Sequence, residues 1–436
     1  MNSYIQRLRE RFRRSPTLVM WLGNSASIGL KLVQSVLVAR LAGPHVFGIF
    51  AIATVYAAIL TRTIDLGASN GLAFVGRARP ETTRRLLTVS LLHCVLASPL
   101  IVVMMVAGKL LPFADAEVSE LFATHAWAAS ALCIAQLFGS LMLSLIVPLQ
   151  RYGWYAIALS ASPFISVACV LGLAAGGSLA PHYLLLAAAA GEVVAGVICA
   201  AAILRFSDHS PASGSLSAAA SDLYSFSIRS FPGQFLKFAG QRIDRLVLAA
   251  LLPASAVGIY AFAVSLRDQV LMPMNTHALV VRNRITTLLQ INEDLNAARA
   301  YLRTTIRNVV LVSVPLSLAA CATSPVLLPL LFGPQFAGVT AIAMVLFMTI
   351  PLIAVANCGW SYVLADASPG LFSLLFTVTT SITVACLIAG AHSGGLMGTA
   401  VGALIASAIA TVVWLTMAQS LIRRRLRSRD SANQAV

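Results

Sequence analysis

Apolar runs of about 20 residues follow one another along almost the whole chain, and only short polar stretches separate them. A helix of that length crosses the ~30 Å hydrocarbon core of a lipid bilayer. Of the 436 residues, 58% are hydrophobic and 10% are charged, whereas a soluble domain carries about 25% charged residues. The sequence therefore predicts an all-α integral membrane protein that crosses the membrane many times.

The apolar runs predict about 12 transmembrane helices, which we place at 17–39, 46–68, 86–111, 121–148, 154–175, 183–205, 223–251, 256–280, 305–331, 336–364, 370–391 and 394–420. The first six spans form an N-lobe at 17–206, and the last six form a C-lobe at 223–420. A linker rich in Ser and Ala, 207–222, joins the two lobes. Basic tails at 1–16 and 421–436 flank them.

Basic residues are distributed unequally between the two sides of the predicted membrane. Of the 30 Lys and Arg residues, 21 fall in the tails and in the connections on the same side, whereas only Arg40 and Lys109 fall opposite. Because cytoplasmic loops carry the excess of Lys and Arg, both termini are predicted to be cytoplasmic. The long connection 281–304 lies on that side, and its apolar spacing predicts an amphipathic helix on the inner surface. The net charge of +15 thus reflects membrane topology, and no soluble basic face is present that would bind nucleic acid.

One sequence pattern occurs twice, 210 residues apart. The stretch "LAGPHVFGIFAIA" at 41–53 aligns with "LLPASAVGIYAFA" at 251–263. The first copy links spans one and two, and the second links spans seven and eight. Because the offset is six spans, both copies have the same orientation, which predicts two six-helix lobes with an internal pseudo-two-fold repeat. Transporters with such repeats bind their substrate where the repeats meet and expose it alternately to each side.

The residues around these turns resemble a known family. "VARLAGPHVFGIFAIA" and "IDLGASNGLAF" in the first half, and "QRIDRLVLAALLPASAVGIYAFA" and "LLFGPQFAGVTAIAMVLF" in the second, are similar to the polysaccharide flippases. These proteins export O-antigen and exopolysaccharide repeat units, and their superfamily also contains multidrug exporters and lipid II flippases. The chain departs from the family pattern at His45 and Val46, where acidic residues are common, and the second copy lacks the Gly-Pro pair.

The resemblance implies a function and a location. It implies that the protein flips an undecaprenyl-diphosphate-linked oligosaccharide from the inner to the outer leaflet of the bacterial inner membrane, without a cofactor. The partners that it implies are the lipid-linked oligosaccharide, membrane lipids and other polysaccharide-assembly proteins.

Charged residues inside the predicted spans point to the functional site. The basic ones are Lys31, Arg62, Arg229, Lys237, Arg242, Arg245 and Arg267, and the acidic ones are Asp65, Glu192, Asp244 and Asp268. A charge at the bilayer centre costs ~2.5–3.5 kcal/mol on the insertion scale, so each one calls for a partner or a function. Arg62 and Asp65 are three residues apart on one helix face and can pair. We expect two further pairs, which serve as ion pairs or gates, across the turn near Ala254: Asp244 with Arg267, and Arg242 with Asp268.

The remaining basic residues are candidates for contact with the substrate. Span seven carries a polar stripe at helical spacing, which consists of Arg229, Gly233, Lys237, Gln241 and Asp244. A cationic stripe that lines a cavity would bind a diphosphate. For Arg229 an alternative to substrate binding is that its side chain extends toward the lipid head groups. Pro232 lies near the start of the stripe and can open the helix there. The predicted substrate-binding residues are Lys31, Arg62, Arg229, Lys237 and Gln241.

Two other functions remain as alternatives. A multidrug or cation antiporter of the same superfamily would favour an acidic site, but the spans hold three more cations than acids. A membrane-embedded polysaccharide polymerase or ligase would carry a long outer loop, but no outer loop here exceeds about a dozen residues. Neither GxxxxGK[ST] nor HExxH occurs, and the seven cysteines form no CxxC pair. The chain is therefore expected not to be an enzyme and to hold no metal.

Small residues recur every four positions on the last predicted helix. They are Gly394, Gly398, Gly402, Ala406 and Ala410. Such a stripe lets two helix backbones approach closely in a membrane. We expect it to pack against a neighbouring helix and to serve no direct function in transport.

Overall fold

The structure is a computed structural model that describes residues 16–113, 115–207, 215–291, 294–332, 338–366 and 369–434. Throughout these residues the regular secondary structure is helical. The protein is thus an all-α membrane protein, as predicted. Apart from Pro16, the predicted basic tail at 1–16 lies outside the described residues.

The helices are numbered in chain order. They are α1 (Pro16–Asp65), α2 (Ala68–Ala78), α3 (Thr83–Ala107), α4 (Ala116–Thr124), α5 (Ala126–Ile146), α6 (Tyr152–Ala175), α7 (Pro181–Phe206), α8 (Leu216–Gly240), α9 (Ile243–Ala249), α10 (Ala254–Thr286), α11 (Leu295–Phe332), α12 (Val339–Phe347), α13 (Thr349–Asp366) and α14 (Pro369–Gln434). Short 3₁₀-helices occupy Pro80–Thr82 and Gly108–Leu110, and a π-helical turn occupies Thr287–Ile291.

The helix lengths are consistent with the predicted twelve crossings. Eight stretches of the described chain are long and apolar enough to span a membrane. Two of them, in α1 and α14, are about twice the necessary length and contain a break, at Gly43 and at Gly394–Gly395 respectively. Each of these two helices therefore supplies two spans. The helix pair α8–α9 and the helix α10 correspond to predicted spans seven and eight.

The two copies of the repeated sequence lie at equivalent turns. Gly43, in the first copy, has φ 80°, a left-handed conformation that glycine adopts without steric cost. The second copy covers the turn between the end of α9 at Ala249 and the start of α10 at Ala254. Both copies therefore mark the break between the first and second span of their half.

Residues Met1–Phe238 form one compact unit, called unit 1, whose described part begins at Pro16. Within unit 1, α7 packs against α5 and α6, and α1 packs against α5 and α6. The two halves of α1 have different neighbours. Before Gly43, Gln34 Nε2 donates to Ser166 Oγ of α6 (2.7 Å), and beyond it Thr61 Oγ1 donates to the Cys133 carbonyl of α5 (3.3 Å).

Residues Ala239–Val436 form the second compact unit, unit 2. Its helix α13 packs against α10, α11 and α14. The two arms of α14 fold back on each other, since a Cβ on Gly390 would lie 2.2 Å from the carbonyl oxygen of Gly398. A Cβ on Gly402 would lie 2.3 Å from the carbonyl oxygen of Cys386. The predicted role of the small-residue stripe in close packing is confirmed at Gly398 and Gly402.

The predicted linker and tail are partly helical. Of the linker at 207–222, residues 208–214 lie outside the described residues, and α8 already begins at Leu216. The C-terminal tail at 421–436 continues α14 as far as Gln434. The boundary between unit 1 and unit 2, after Phe238, falls inside predicted span seven. The lobes at 17–206 and 223–420 therefore stay a prediction.

Within 281–304 the described residues are helical, as predicted, but they do not form a separate helix, and their position on the inner membrane surface stays a prediction. There α10 continues to Thr286, the π-helical turn follows to Ile291, and α11 begins at Leu295. The apolar positions of this connection therefore belong to extensions of spans eight and nine. Helical spacing alone does not distinguish an extension of a span from a separate helix that lies on the membrane surface.

Candidate functional site

Predicted span seven is broken where its charged residues are concentrated. The helix α8 ends at Gly240, Gln241 and Arg242 form a turn, and α9 begins at Ile243. A Cβ on Gly240 would lie 2.5 Å from Thr380 Oγ1, so glycine permits the close approach of α14 at this point. The break is at Gln241–Arg242 and not at Pro232, which lies inside α8. In membrane proteins, a broken helix is tolerated where it is buried in protein or lines an aqueous cavity, and such breaks form transporter binding sites.

One carboxylate joins two arginines just beyond this break. Arg267 Nε and Nη2 both donate to Asp268 Oδ1, at 3.0 and 2.7 Å. Arg245 Nη2 lies 3.9 Å from Asp268 Oδ2. The arginine side chains are only 11% and 12% exposed, whereas Asp268 is 48% exposed. The three residues, called the Asp268 cluster, link α9 to α10 across the turn, as predicted, but with different partners.

The predicted bond between Asp244 and Arg267 is replaced by the bond between Arg267 and Asp268. Asp244 Oδ1 instead accepts the backbone N–H of Arg245 (2.9 Å), although Asp244 remains near enough to act on Arg267 electrostatically. Arg242, which we expected to pair with Asp268, has an interaction of its own and is half-buried. Counting residues from the turn predicted which charged residues of α9 and α10 lie at the same depth in the membrane. The directions of the side chains then determined which of these residues form ion pairs.

The Asp268 cluster has unused capacity for an anion. Arg245 Nε is buried and has no hydrogen-bond partner among the residues that the structure describes. Two guanidinium groups share one carboxylate, so the cluster is positively charged overall. A buried guanidinium N–H without a partner is costly, and an anionic oxygen would satisfy it.

In unit 1, the predicted contact between Arg62 and Asp65 is present. Arg62 Nη1 lies 3.9 Å from Asp65 Oδ2, and the Arg62 guanidinium also lies 5.4 Å from the ring centroid of Phe238. Asp65 Oδ1 accepts hydrogen bonds from the backbone N–H and the hydroxyl of Ser69, at 3.1 and 2.8 Å. Asp65 therefore stabilises the junction of α1 and α2, and Arg62 already has two partners.

The other predicted substrate residues have different surroundings. Lys31 and Arg229 are exposed on α1 and α8, and Gln241 is exposed in the turn after α8. The side chain of Lys237 lies outside the described residues. The predicted stripe does not continue to Asp244 on one helix, because the turn at Gln241–Arg242 changes the helical phase.

The sequence prediction missed several polar contacts between distant residues. Arg425 Nη2 lies 2.5 Å from Asp366 Oδ1, and the Asp366 side chain is only 2% exposed. This pair was missed because Arg425 was assigned to the tail. His93 Nε2 lies 3.1 Å from the Ile64 carbonyl, its Nδ1 lies 2.5 Å from Tyr224 Oη, and Glu192 accepts a hydrogen bond from Ser162.

The described residues contain no group of three or more His, Cys, Asp or Glu side chains that could hold a metal ion. All seven cysteines are free.

Comparison with protein families identifies the chain. A model of the family described as "Polysaccharide biosynthesis protein" matches residues 37–341. The chain belongs to the polysaccharide biosynthesis protein family. No curated protein sequence matches it.

Several solved structures of membrane transporters have a fold similar to that of this chain. The lipid II flippase MurJ in an inward-closed conformation has a TM-score of 0.70 and 13% sequence identity, and the match covers 92% of this chain and 88% of MurJ. An inward-facing multidrug resistance MATE family transporter of the MOP superfamily has a TM-score of 0.69 and 13% identity, over 94% and 95% of the two chains. A mutant of the Vibrio cholerae MATE transporter VcmN has a TM-score of 0.58 and 14% identity, over 95% and 96%. These likenesses show that the chain has the fold of MOP-superfamily transporters.

Proposed function

We propose that this protein flips a polyprenyl-diphosphate-linked oligosaccharide, the repeat unit of a surface polysaccharide, from the inner to the outer leaflet of the bacterial inner membrane. It does so by alternating access and catalyses no chemical reaction. Family membership supports the link to polysaccharide, and the likeness to MurJ supports a flippase fold. Both termini are then cytoplasmic, as the distribution of basic residues predicts.

The observation that carries the proposal is the charge balance of the spans. Asp65 and Asp268 are each held by arginines, and Asp65 also accepts local hydrogen bonds. These acids therefore do not offset the exposed cations Lys31 and Arg229 or the unpartnered N–H of Arg245. A diphosphate carries roughly two negative charges, and Lys and Arg both bind phosphate oxygens. We propose that Lys31, Arg229, Lys237, Arg242 and Arg245 contribute to the path of the diphosphate, with Gln241 as a neutral donor at the helix break.

The alternative function is export of cationic drugs, which the likeness to MATE transporters favours. A site for organic cations would present carboxylates. The described spans instead present more basic than acidic side chains around the break in span seven. An anionic substrate therefore fits this site better.

The test is complementation of a strain that lacks the gene with Lys237→Gln and Lys237→Arg. Hydrogen bonds to charged groups contribute about 1.5–3 kcal/mol, so the Gln variant should weaken diphosphate binding about tenfold or more. We expect little surface polysaccharide from Lys237→Gln at normal membrane-protein level, and partial output from Lys237→Arg. The matched control is Arg79→Gln, because Arg79 is an exposed basic residue that pairs with Asp222.

Accumulation of a cationic dye is measured in the same cells. Full polysaccharide output from Lys237→Gln and from the equivalent Lys31 and Arg229 variants would contradict a cationic diphosphate path. Dye export by the intact protein, with no change in polysaccharide upon deletion, would establish the antiporter instead.

A further inference from the structure

Glu192 is a carboxylate in the middle of a membrane-spanning helix without a cationic partner. It lies near the centre of the 26-residue helix α7. Ser162 Oγ of α6 donates a hydrogen bond to Glu192 Oε1 (3.0 Å). Within the described part of the chain, Ser162 is its only hydrogen-bond partner, and no Lys, Arg or His forms an ion pair with it. Ionisable groups at this depth are rare, and they commonly belong to proton relays or substrate pathways.

Close packing leaves little space around this carboxyl group. A Cβ on Gly139 of α5 would lie 3.0 Å from Glu192 Oε2, so any larger residue at position 139 would crowd the carboxyl group. A Cβ on Gly191 would lie 2.2 Å from the carbonyl oxygen of Ser162, so the backbones of α6 and α7 touch beside it. A metal cation needs a shell of several oxygen ligands, whereas the only described side-chain oxygens in hydrogen-bond contact here are those of Glu192 and Ser162. The site fits a proton better than a metal ion.

A row of polar side chains leads from Glu192 to another helix. Ser162 and Ser166 are one turn apart on α6, and Ser166 Oγ accepts a hydrogen bond from Gln34 Nε2 of α1 (2.7 Å). Lys31, which is exposed, precedes Gln34 by three residues on α1. The row therefore crosses unit 1 from the carboxyl group to a helix that carries an exposed cation.

Two of the four helices that pack against α7 in the described part of the chain carry no charged residue. The four helices are α1, α3, α5 and α6, and α5 and α6 contain no Asp, Glu, Lys, Arg or His. On α7 itself, His182 and Arg205 lie ten and 13 residues away, about 15 and 20 Å along the axis.

The remaining charged groups of the packed helices have partners of their own. On α3, Arg84 donates to Ser207 and His93 contacts Tyr224, while on α1 Arg62 lies beside Asp65. Among thiols, Cys133 of α5 bonds to Thr61. Also on these two helices are Lys31, Arg40, His45 and Arg85, none of which forms an ion pair with Glu192.

We propose that Glu192 is the proton-carrying residue of a proton-coupled transport cycle. In the ionised form, Oε1 accepts the Ser162 hydroxyl. One H⁺ taken up from one side of the membrane binds Oε2 and makes the group a neutral carboxylic acid, and its release to the other side restores the carboxylate. The row through Ser162, Ser166 and Gln34 supplies polar contacts along the route. This inference rests on the proposed function, because coupling requires a transported substrate.

The first measurement needs no transport substrate. Infrared spectra of the purified full-length protein are recorded as a function of pH, and the C=O stretching band of protonated carboxyl groups is followed. We expect a band that grows on acidification and is missing in Glu192→Gln. Ser162→Ala should shift the frequency of this band, because Ser162 donates directly to Oε1. Spectra in NaCl and in choline chloride should agree, and a band suppressed by Na⁺ would identify a sodium site and overturn the proton assignment.

The second measurement uses vesicles reconstituted with the full chain and a fluorescent polyprenyl diphosphate as the probe. An imposed pH gradient should accelerate flipping by the wild-type protein, and Glu192→Gln should lose that acceleration while it still flips the probe slowly. Asp222→Asn, an exposed acid outside this site, should keep the acceleration. Gradient-stimulated flipping by Glu192→Gln would overturn the inference. Absence of flipping by the wild-type protein would contradict the proposed function, and the infrared result would then decide on the proton site separately.

Discussion

Two acidic residues within the helices of this protein have opposite surroundings. Glu192 of unit 1 has one serine hydroxyl as its partner, and the helices beside it, α5 and α6, carry no charge. Asp268 of unit 2 contacts two arginines that are each nearly buried. The contrast teaches that an acid in a span has two distinct uses. Asp268 is paired with its cations and stabilises the structure, whereas Glu192 has no cationic partner among the described residues, as its proposed role requires.

The largest effect is expected from removal of the shared carboxylate in Asp268→Asn. This change leaves the nearly buried guanidinium groups of Arg245 and Arg267 without the carboxylate that they share, although Asp244 still acts on Arg267 electrostatically. Loss of one partner of a buried ion pair costs about 3–5 kcal/mol. We therefore expect a strongly lowered unfolding temperature in detergent and less folded protein in the membrane. The control is Asp222→Asn, which opens the exposed pair with Arg79 and should cost about 0–1 kcal/mol. Equal unfolding temperatures for the two variants would show that the Asp268 cluster is not stabilising.

A smaller effect is expected from Gly191→Ala, which tests the packing around Glu192. The added methyl group would lie 2.2 Å from the Ser162 carbonyl oxygen and must push α6 away from α7. Overpacking of this kind typically costs about 1–3 kcal/mol. The expected results are a lower unfolding temperature and a loss of the influence of Ser162 on the carboxyl infrared band. Gly172→Ala on α6 is the matched control, since a Cβ there meets nothing within 4 Å. A wild-type unfolding temperature for Gly191→Ala would mean that α6 and α7 do not touch at this point.

The smallest effect on stability is expected from Glu192→Gln. The amide keeps the shape of the side chain and a carbonyl oxygen for Ser162, and no cation is left without its anion. We expect the free energy of unfolding to change by less than about 1.5 kcal/mol, since one neutral hydrogen bond contributes no more than that. The unfolding temperature is compared with that of Asp268→Asn under the same conditions. A loss as large as that of Asp268→Asn would mean that Glu192 has a structural ionic partner, and the contrast between the two acids would then fail.

Local sequence information predicted the features that depend on neighbouring residues. Hydropathy and helix length predicted an all-α membrane protein with about twelve spans. The repeated sequence marked the turn at Gly43 and the turn before Ala254, because both depend on a short stretch of chain. The contact between Arg62 and Asp65 followed from their spacing on one helix.

The tertiary structure alone decided which distant side chains meet. The sequence contains Ser162, Glu192, Asp366 and Arg425, but the rotation and tilt of their helices determine that they form two pairs. Likewise, the depth of Asp268 indicated a contact across the turn, whereas the directions of Arg245 and Arg267 determined its partners. A span that is apolar around most of its circumference does not reveal which face meets a neighbour, because its hydropathy is similar in every direction. Its orientation is fixed only when small residues such as Gly191 and Gly390 bring particular backbones into contact.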